Sequence, residues 1–175
     1  DSSESQARSN LRNLLHTLRQ ALPAPDQFLI SDTLTVQWRP DAPFTLDVAD
    51  FQLAVDQAQQ AQEPDLARQC LEQALALYTG ELLPGNYDDW IIPVREALRQ
   101  THSAAQEHLI QILEQKGDYR TAGQQAQRLL QQDPLHEPTY IQLMRLHALS
   151  GDRAGVRRIY QNCVTVLERE LGVEP

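Results

Sequence analysis

Leu109-Ile110-Gln111-Ile112-Leu113-Glu114-Gln115-Lys116-Gly117-Asp118 and Leu143-Met144-Arg145-Leu146-His147-Ala148-Leu149-Ser150-Gly151-Asp152 lie 34 residues apart and end on the same Gly-Asp pair. The match continues past each pair: Leu109 aligns with Leu143, Ala122 with Val156, Ala126 with Tyr160 and Leu129 with Cys163. Around each Gly-Asp the plan is helix, tight turn, helix, and Asp133-Pro134 sits where one such unit ends. One helical hairpin cannot bury its own apolar face, but hairpins stacked side by side can.

A 34-residue helix–turn–helix period is the tetratricopeptide spacing; the competing reading is a generic helical bundle. Working upstream, the chain reads as helix back to Asp47. A helix from about Asp88 to Lys116 carries Trp90, Val94, Ala97, Leu98, Ala105, Leu109 and Leu113; Pro93 is tolerable only in a first turn, which puts the start of the helix proper near Ile92. Trp90 is expected as a core anchor, with Asp88 and Asp89 serving the helix N-terminus. The apolar Leu82-Leu83-Pro84-Gly85 within the loop from Gly80 to Asn86 is expected to pack down. A helix from about Pro64 to Tyr78 turns Ala67, Cys70, Leu71, Ala74 and Tyr78 inward. Another begins at Asp47 as N-cap and lines Val48, Phe51, Val55 and Ala58 along one face.

Before this helical block the pattern changes. Ser3 and Gln6 have capping-box spacing, and Leu11, Leu14, Leu15, Leu18 and Leu22 then form one apolar helical stripe, with Arg8, Arg12, His16 and Arg19 on a different face. Pro23 and Pro25 stop the helix. Phe28–Ile30 and Leu34–Trp38 read as a β-hairpin joined through Ser31-Asp32-Thr33, and the two prolines of Arg39–Phe44 mark a linker. Such a hairpin needs something to pack on.

The net charge is −9, and it is unevenly distributed. Residues 1–40 carry four Arg against four acids, so the whole excess lies downstream. Phosphate-neutralising proteins are usually basic, which argues against the entire chain being a DNA-binding unit but leaves room for a small DNA-reading part on an acidic body. Cys70 and Cys163 are far apart, outside any CxxC pair, and read as reduced core cysteines. No apolar run approaches a membrane span and no signal-peptide pattern opens the chain, so the expected address is cytoplasmic, with no membrane partner. His16, His102, His108, His136 and His147 form no HExxH or i, i+4 metal pair. No nucleophile elbow or phosphate loop occurs. No catalytic residue, metal site or cofactor is expected, and the chain is not read as an enzyme.

Three stretches resemble one family. Ala7–Leu22, followed by Phe28-Leu29-Ile30 and the second strand, looks like the third helix and wing of the winged-helix domain in SARP-type antibiotic regulators. Asp47–Phe51 is similar to the D-x-x-x-F opening of the bacterial transcriptional activator domain. Ala74–Tyr78, Gly80-Glu81-Leu82-Leu83, Tyr87–Trp90, Arg95–Leu98 and Glu170-Leu171-Gly172-Val173-Glu174-Pro175 resemble its A-L-x-L-Y-x-G-x-L-L, W-x-x-x-x-R-x-x-L and L-G-x-x-P motifs. The resemblance implies a mainly α fold: a TPR-like α-solenoid over residues 47–175, preceded by a linker at 41–46 and a partial winged helix at 1–40. The sheet and first two helices that the resemblance places before the recognition helix are missing, and the chain does not start with Met, so it reads as a fragment of a longer regulator.

In a winged helix the third helix enters the major groove. Arg8, Arg12, His16 and Arg19 are then candidates for phosphates or guanine edges, and Asn10 and Asn13 for adenine. The expected function is a bacterial transcription regulator. DNA is its partner in the full-length protein, and RNA polymerase, another regulator domain or a second copy (as a homo-oligomer) is the partner of the helical part. The alternative is a stand-alone TPR-like scaffold that binds a protein and never touches DNA.

Overall fold

The computed structural model describes residues 2–32 and 35–172. The chain separates into two compact units, Asp1–Thr45 and Leu46–Pro175.

The first unit holds α1 (Ser2–Ala21), the one-turn α2 (Pro25–Phe28), β1 (Leu29–Ser31) and β2 (Val36–Trp38). The helix begins at Ser2, and the Ser3 side chain of the expected capping box lies outside the described residues. The helix ends at Ala21, ahead of Pro23 and Pro25 as expected, and Pro25 also opens α2 at its first position, where a missing N–H costs nothing. The strands pair antiparallel with Leu29 opposite Trp38 and Ser31 opposite Val36. Asp32 ties the connection: its carboxylate accepts the Thr35 backbone N–H at 2.7 Å and the Thr35 hydroxyl at 2.8 Å. Thr33 and Leu34, expected in the turn and second strand, lie outside the described residues. The Trp38 and Phe44 rings meet at 5.6 Å.

The second unit is three helical hairpins: α3 (Asp47–Gln60) with α4 (Pro64–Leu77), α5 (Ile91–Gln115) with α6 (Tyr119–Gln132), and α7 (Glu137–Leu149) with α8 (Arg153–Leu171). Each helix packs on the next in chain order, giving a tetratricopeptide-like stack. Its core runs from Phe51 and Leu71 through Leu109, Ile110 and Leu113 to Leu143 and Leu146. A smaller cluster of Tyr140, Cys163 and Leu167 closes the last hairpin. Each such large apolar side chain contributes about 1.5–3 kcal/mol on burial. Both cysteines are free and buried, and burial first, then the Glu137 charge, pushes the Cys163 thiol up.

The Gly-Asp pairs are equivalent joints. Gly117 and Gly151 adopt φ of 76° and 79°, the left-handed backbone that glycine takes without steric cost. At the first joint the Gly117 N–H donates to Glu114 O and the Asp118 N–H to Leu113 O, both at 2.9 Å. At the second, Gly151 donates to Ala148 O at 3.0 Å and Asp152 to His147 O at 2.9 Å. These are Schellman closures, which satisfy the carbonyls left open at a helix end. The aspartate then opens the next helix. Asp118 accepts the Thr121 N–H at 3.2 Å and Asp152 the Gly155 N–H at 2.8 Å.

The first hairpin lacks this device. Leu46 and Glu63 stand at its N-cap positions without side-chain caps, and Pro64 starts α4. Asp47, expected as N-cap, is the first helical residue and accepts its neighbour Val48's N–H at 2.8 Å.

Several inward assignments are overturned. Trp90 is 56% exposed rather than a core anchor, because among the described residues no helix of the stack covers the start of α5 on that side; Val94 and Ala97 are exposed with it. Its indole N–H reaches Asp88 at 3.3 Å, so that carboxylate holds the ring and does not cap the helix. Leu82 packs down, whereas Leu83 stays exposed. Tyr160, aligned with the fully buried Ala126, is 52% exposed.

The joints generate two predictions. Gly123 and Gly155 both lie inside helices, where Ala is normally preferred. A Cβ at Gly123 meets Leu143 at an ordinary 3.7 Å, so Gly123→Ala raises stability by about 0.5–1 kcal/mol. At Gly155 a Cβ collides with the Asp152 carboxylate and the His147 ring, so Gly155→Ala lowers the urea midpoint. The second prediction concerns acid. Hydrogen bonds from Thr121, side chain then backbone, hold the Asp118 carboxyl below its usual range, and the Gly155 N–H does the same for Asp152. Stability from a depressed carboxyl is present above the unfolded value, about 3.9, and is lost as pH falls through the folded one. The Asp118→Asn, Asp152→Asn double variant therefore loses less of its thermal midpoint between pH 7 and pH 3 than the native chain.

Candidate functional site

At about 100° per residue, Arg8, Arg12, His16 and Arg19 fall on one strip of α1. Asn13 lies at the strip's edge beyond His16, and Asn10 lies across the helix, where it accepts a hydrogen bond from Gln6 at 3.0 Å. Four of the six candidates are thus brought together and Asn10 is not. All six are exposed. Arg8 pairs with Glu4 at 2.7 Å, both side chains well exposed, a contact of the kind that contributes about 0–1 kcal/mol. Arg12 makes no ion pair among the described residues. His16 hydrogen-bonds Gln20 at 3.0 Å. Arg19 donates to the Ser31 hydroxyl, which links the strip to the hairpin. Leu11, Leu14 and Leu18 of the apolar stripe are exposed, and Leu15 and Leu22 half-buried.

In the helical stack, two clefts open on the same side of α5. One, of about 320 Å³, lies toward α3 and is lined by Gln59, Gln100, Thr101 and His108. The other, of about 410 Å³, lies toward α7 and is lined by Gln111, Gln115, Ile141 and Gln142. Arg145 of α7 reaches Glu114 of α5 across the second cleft at 2.8 Å. A strip of amide side chains with an exposed Ile141 offers both donors and acceptors to a polypeptide backbone. Composition and periodicity did not single out these residues, because exposed glutamines on a helix look alike until the neighbouring hairpin sets the groove.

A third cleft, of about 550 Å³, is more apolar. Val48, Phe51, Leu77, Tyr78, Leu82 and Leu98 line it. Phe51 and Tyr78 meet at 5.6 Å, and Tyr78 stacks on His102 at 4.2 Å. Burial lowers the His102 pKa, which favours the neutral ring in its stack behind Tyr78. Arg95 shapes the rim. Its guanidinium donates to Leu82 O at 2.8 Å and Leu83 O at 2.7 Å and lies 3.4 Å from Glu81. That clamp holds Leu83 at φ 47°, a strained value for a residue with a side chain. The sequence signal for it is an Arg directly after the apolar run Ile91–Val94, following a loop whose carbonyls have no helix to pair them.

Stacked hairpins with Gly-Asp joints, a groove along the first helices and an arginine-clamped loop define a tetratricopeptide-like domain. The family model of the bacterial transcriptional activator domain matches residues 46–175, and the chain belongs to that family. Among solved structures, EmbR of Mycobacterium tuberculosis, in complex with a low-affinity phosphopeptide, is similar in fold. The TM-score is 0.68 at 21% sequence identity, over 100% of this chain and 47% of that one. The chain therefore spans about half of EmbR's length. No curated protein matches it. No helix among the described residues is long and apolar enough to cross a membrane.

Arg95→Met keeps the packing volume and removes the clamp. It is expected to cost about 1.5–3 kcal/mol in urea unfolding, the scale of hydrogen bonds from a charged donor. It should also speed proteolytic cleavage between residues 80 and 87 without loss of helical circular dichroism.

Proposed function

We propose that the chain is part of a cytoplasmic bacterial transcription regulator, in which residues 1–40 are the recognition helix and wing of a winged-helix domain, 41–46 a linker, and 47–175 the activator domain. The observation that carries this reading is the family membership of residues 46–175, directly behind a helix and hairpin whose cationic strip runs from Arg8 to Arg19. In this reading Arg8, Arg12, His16 and Arg19 meet phosphates and guanine edges, and Asn13 adenine. The Arg19–Ser31 contact supports a coupled helix and wing.

The helical domain takes protein contacts. Its excess of acid suits a basic surface on RNA polymerase or on another regulator, and its amide-lined clefts suit an extended segment of such a partner. Nothing in the arrangement of the described residues calls for catalysis.

The test uses the full-length regulator and a duplex operator fragment selected from random sequence. Arg12→Ala with Arg19→Ala abolishes the gel shift. It also flattens the dependence of log affinity on log salt by roughly two units, one for each lost phosphate contact. Unchanged affinity in that variant removes the assignment of α1. The remaining reading is then the scaffold that binds protein alone.

A further inference from the structure

The two ends of the helical stack differ. Ala105 and Ile112 of α5 are buried, as are Thr139 and Leu146 at the same distances from the end of α7. The corresponding residues of α3, the first helix, are Asp50, half-buried, and Gln57, exposed, with the exposed Leu53 between them on the same face. The last helix departs from the middle of the stack in a different way. On α6, Ala122 and Ala126 are fully buried; their counterparts on α8 are Val156 and Tyr160, the first half-buried and the second 52% exposed.

Around Tyr160, the side chains Arg153, Arg157, Val164, Glu168 and Leu171 recur every three or four residues and so form one stripe along α8. Its first half is cationic, its centre apolar and its second half anionic. Among the described residues no ion pair engages Arg153, Arg157 or Glu168. At 19 residues, α8 is also longer than α4 and α6, which have 14 each.

We propose that this stripe is a homodimer seam, in which α8 of two copies of the chain pack antiparallel about a twofold axis near Asn162. Charge complementarity selects a second copy in this orientation. Reversing the helix on itself sets Tyr160 of each copy opposite Val164 of the other, and Arg157 within one residue of Glu168, so two interchain ion pairs flank an apolar centre. A parallel arrangement sets like charges together at both ends. The contact is isologous and closes at two copies.

The inference does not rest on the DNA-reading role of α1, and its test contains no DNA. Sedimentation equilibrium of the 175-residue chain is expected to show a concentration-dependent monomer–dimer equilibrium. Arg157→Glu and Glu168→Arg each weaken it about tenfold or more through like-charge contacts, and the double reversal restores it to within about threefold. Tyr160→Ser, checked for retained helicity, weakens it as well. The proposal is overturned by a chain still monomeric at roughly 1 mM, by assemblies larger than a dimer, by single variants that associate as the native chain does, or by a double reversal that fails to restore the dimer.

Discussion

A reversal of chain direction within two residues is what the helical stack depends on, and it is obtained by dividing the task between two chemistries. Glycine supplies the left-handed backbone at Gly117 and Gly151, which lets the last carbonyls of α5 and α7 find N–H donors without a following turn of helix. Aspartate then accepts an N–H that the new helix cannot satisfy internally. Because the reversal occupies so few residues, the two helices of a hairpin leave each joint already side by side. Leu109 and Leu113 then meet Ala122 and Ala126 without a long loop to order. The conserved geometry of the two joints sets the second and third hairpins on the same plan, while the first is closed by Pro64 and packs through Phe51 and Leu71.

The stack leaves several different surfaces uncovered. Its first helices expose amides toward the clefts beside α5, its Arg95 clamp shapes an apolar cleft near the beginning, and its last helix carries a stripe with opposite charge at its two ends. The acid excess belongs to this part of the chain, while the cationic strip of α1 belongs to the other unit.

The hairpins were legible in the sequence because their physics is periodic. Leu109 and Leu143 repeat at the spacing of the Gly-Asp pairs, and a helix face that must be covered along its length leaves a continuous apolar record. The β-hairpin was legible from the β-propensity of residues such as Thr35, Val36 and Trp38. What failed were inferences from one apolar residue to burial. Trp90, Leu83 and Tyr160 are apolar yet exposed, because burial depends on whether a neighbouring element reaches them, and local pattern carries no information on where the stack stops. Polar groups that act through geometry were hidden for the complementary reason. Arg95 acts on carbonyls 12 and 13 residues away, and Gln106 is buried against Gln125 O, with its own carbonyl unpartnered among the described residues.

Residue-resolved amide hydrogen exchange tests the joints most directly. If the Gly-Asp reversals organise the stack, the Asp118 and Asp152 amides, bonded to Leu113 O and His147 O, exchange as slowly as those of Leu109 and Leu143, through the same global opening. Exchange at the rate of the exposed loop amide of Gly85, while the helix amides stay protected, would show that the joints open independently of the hairpins and would contradict the account.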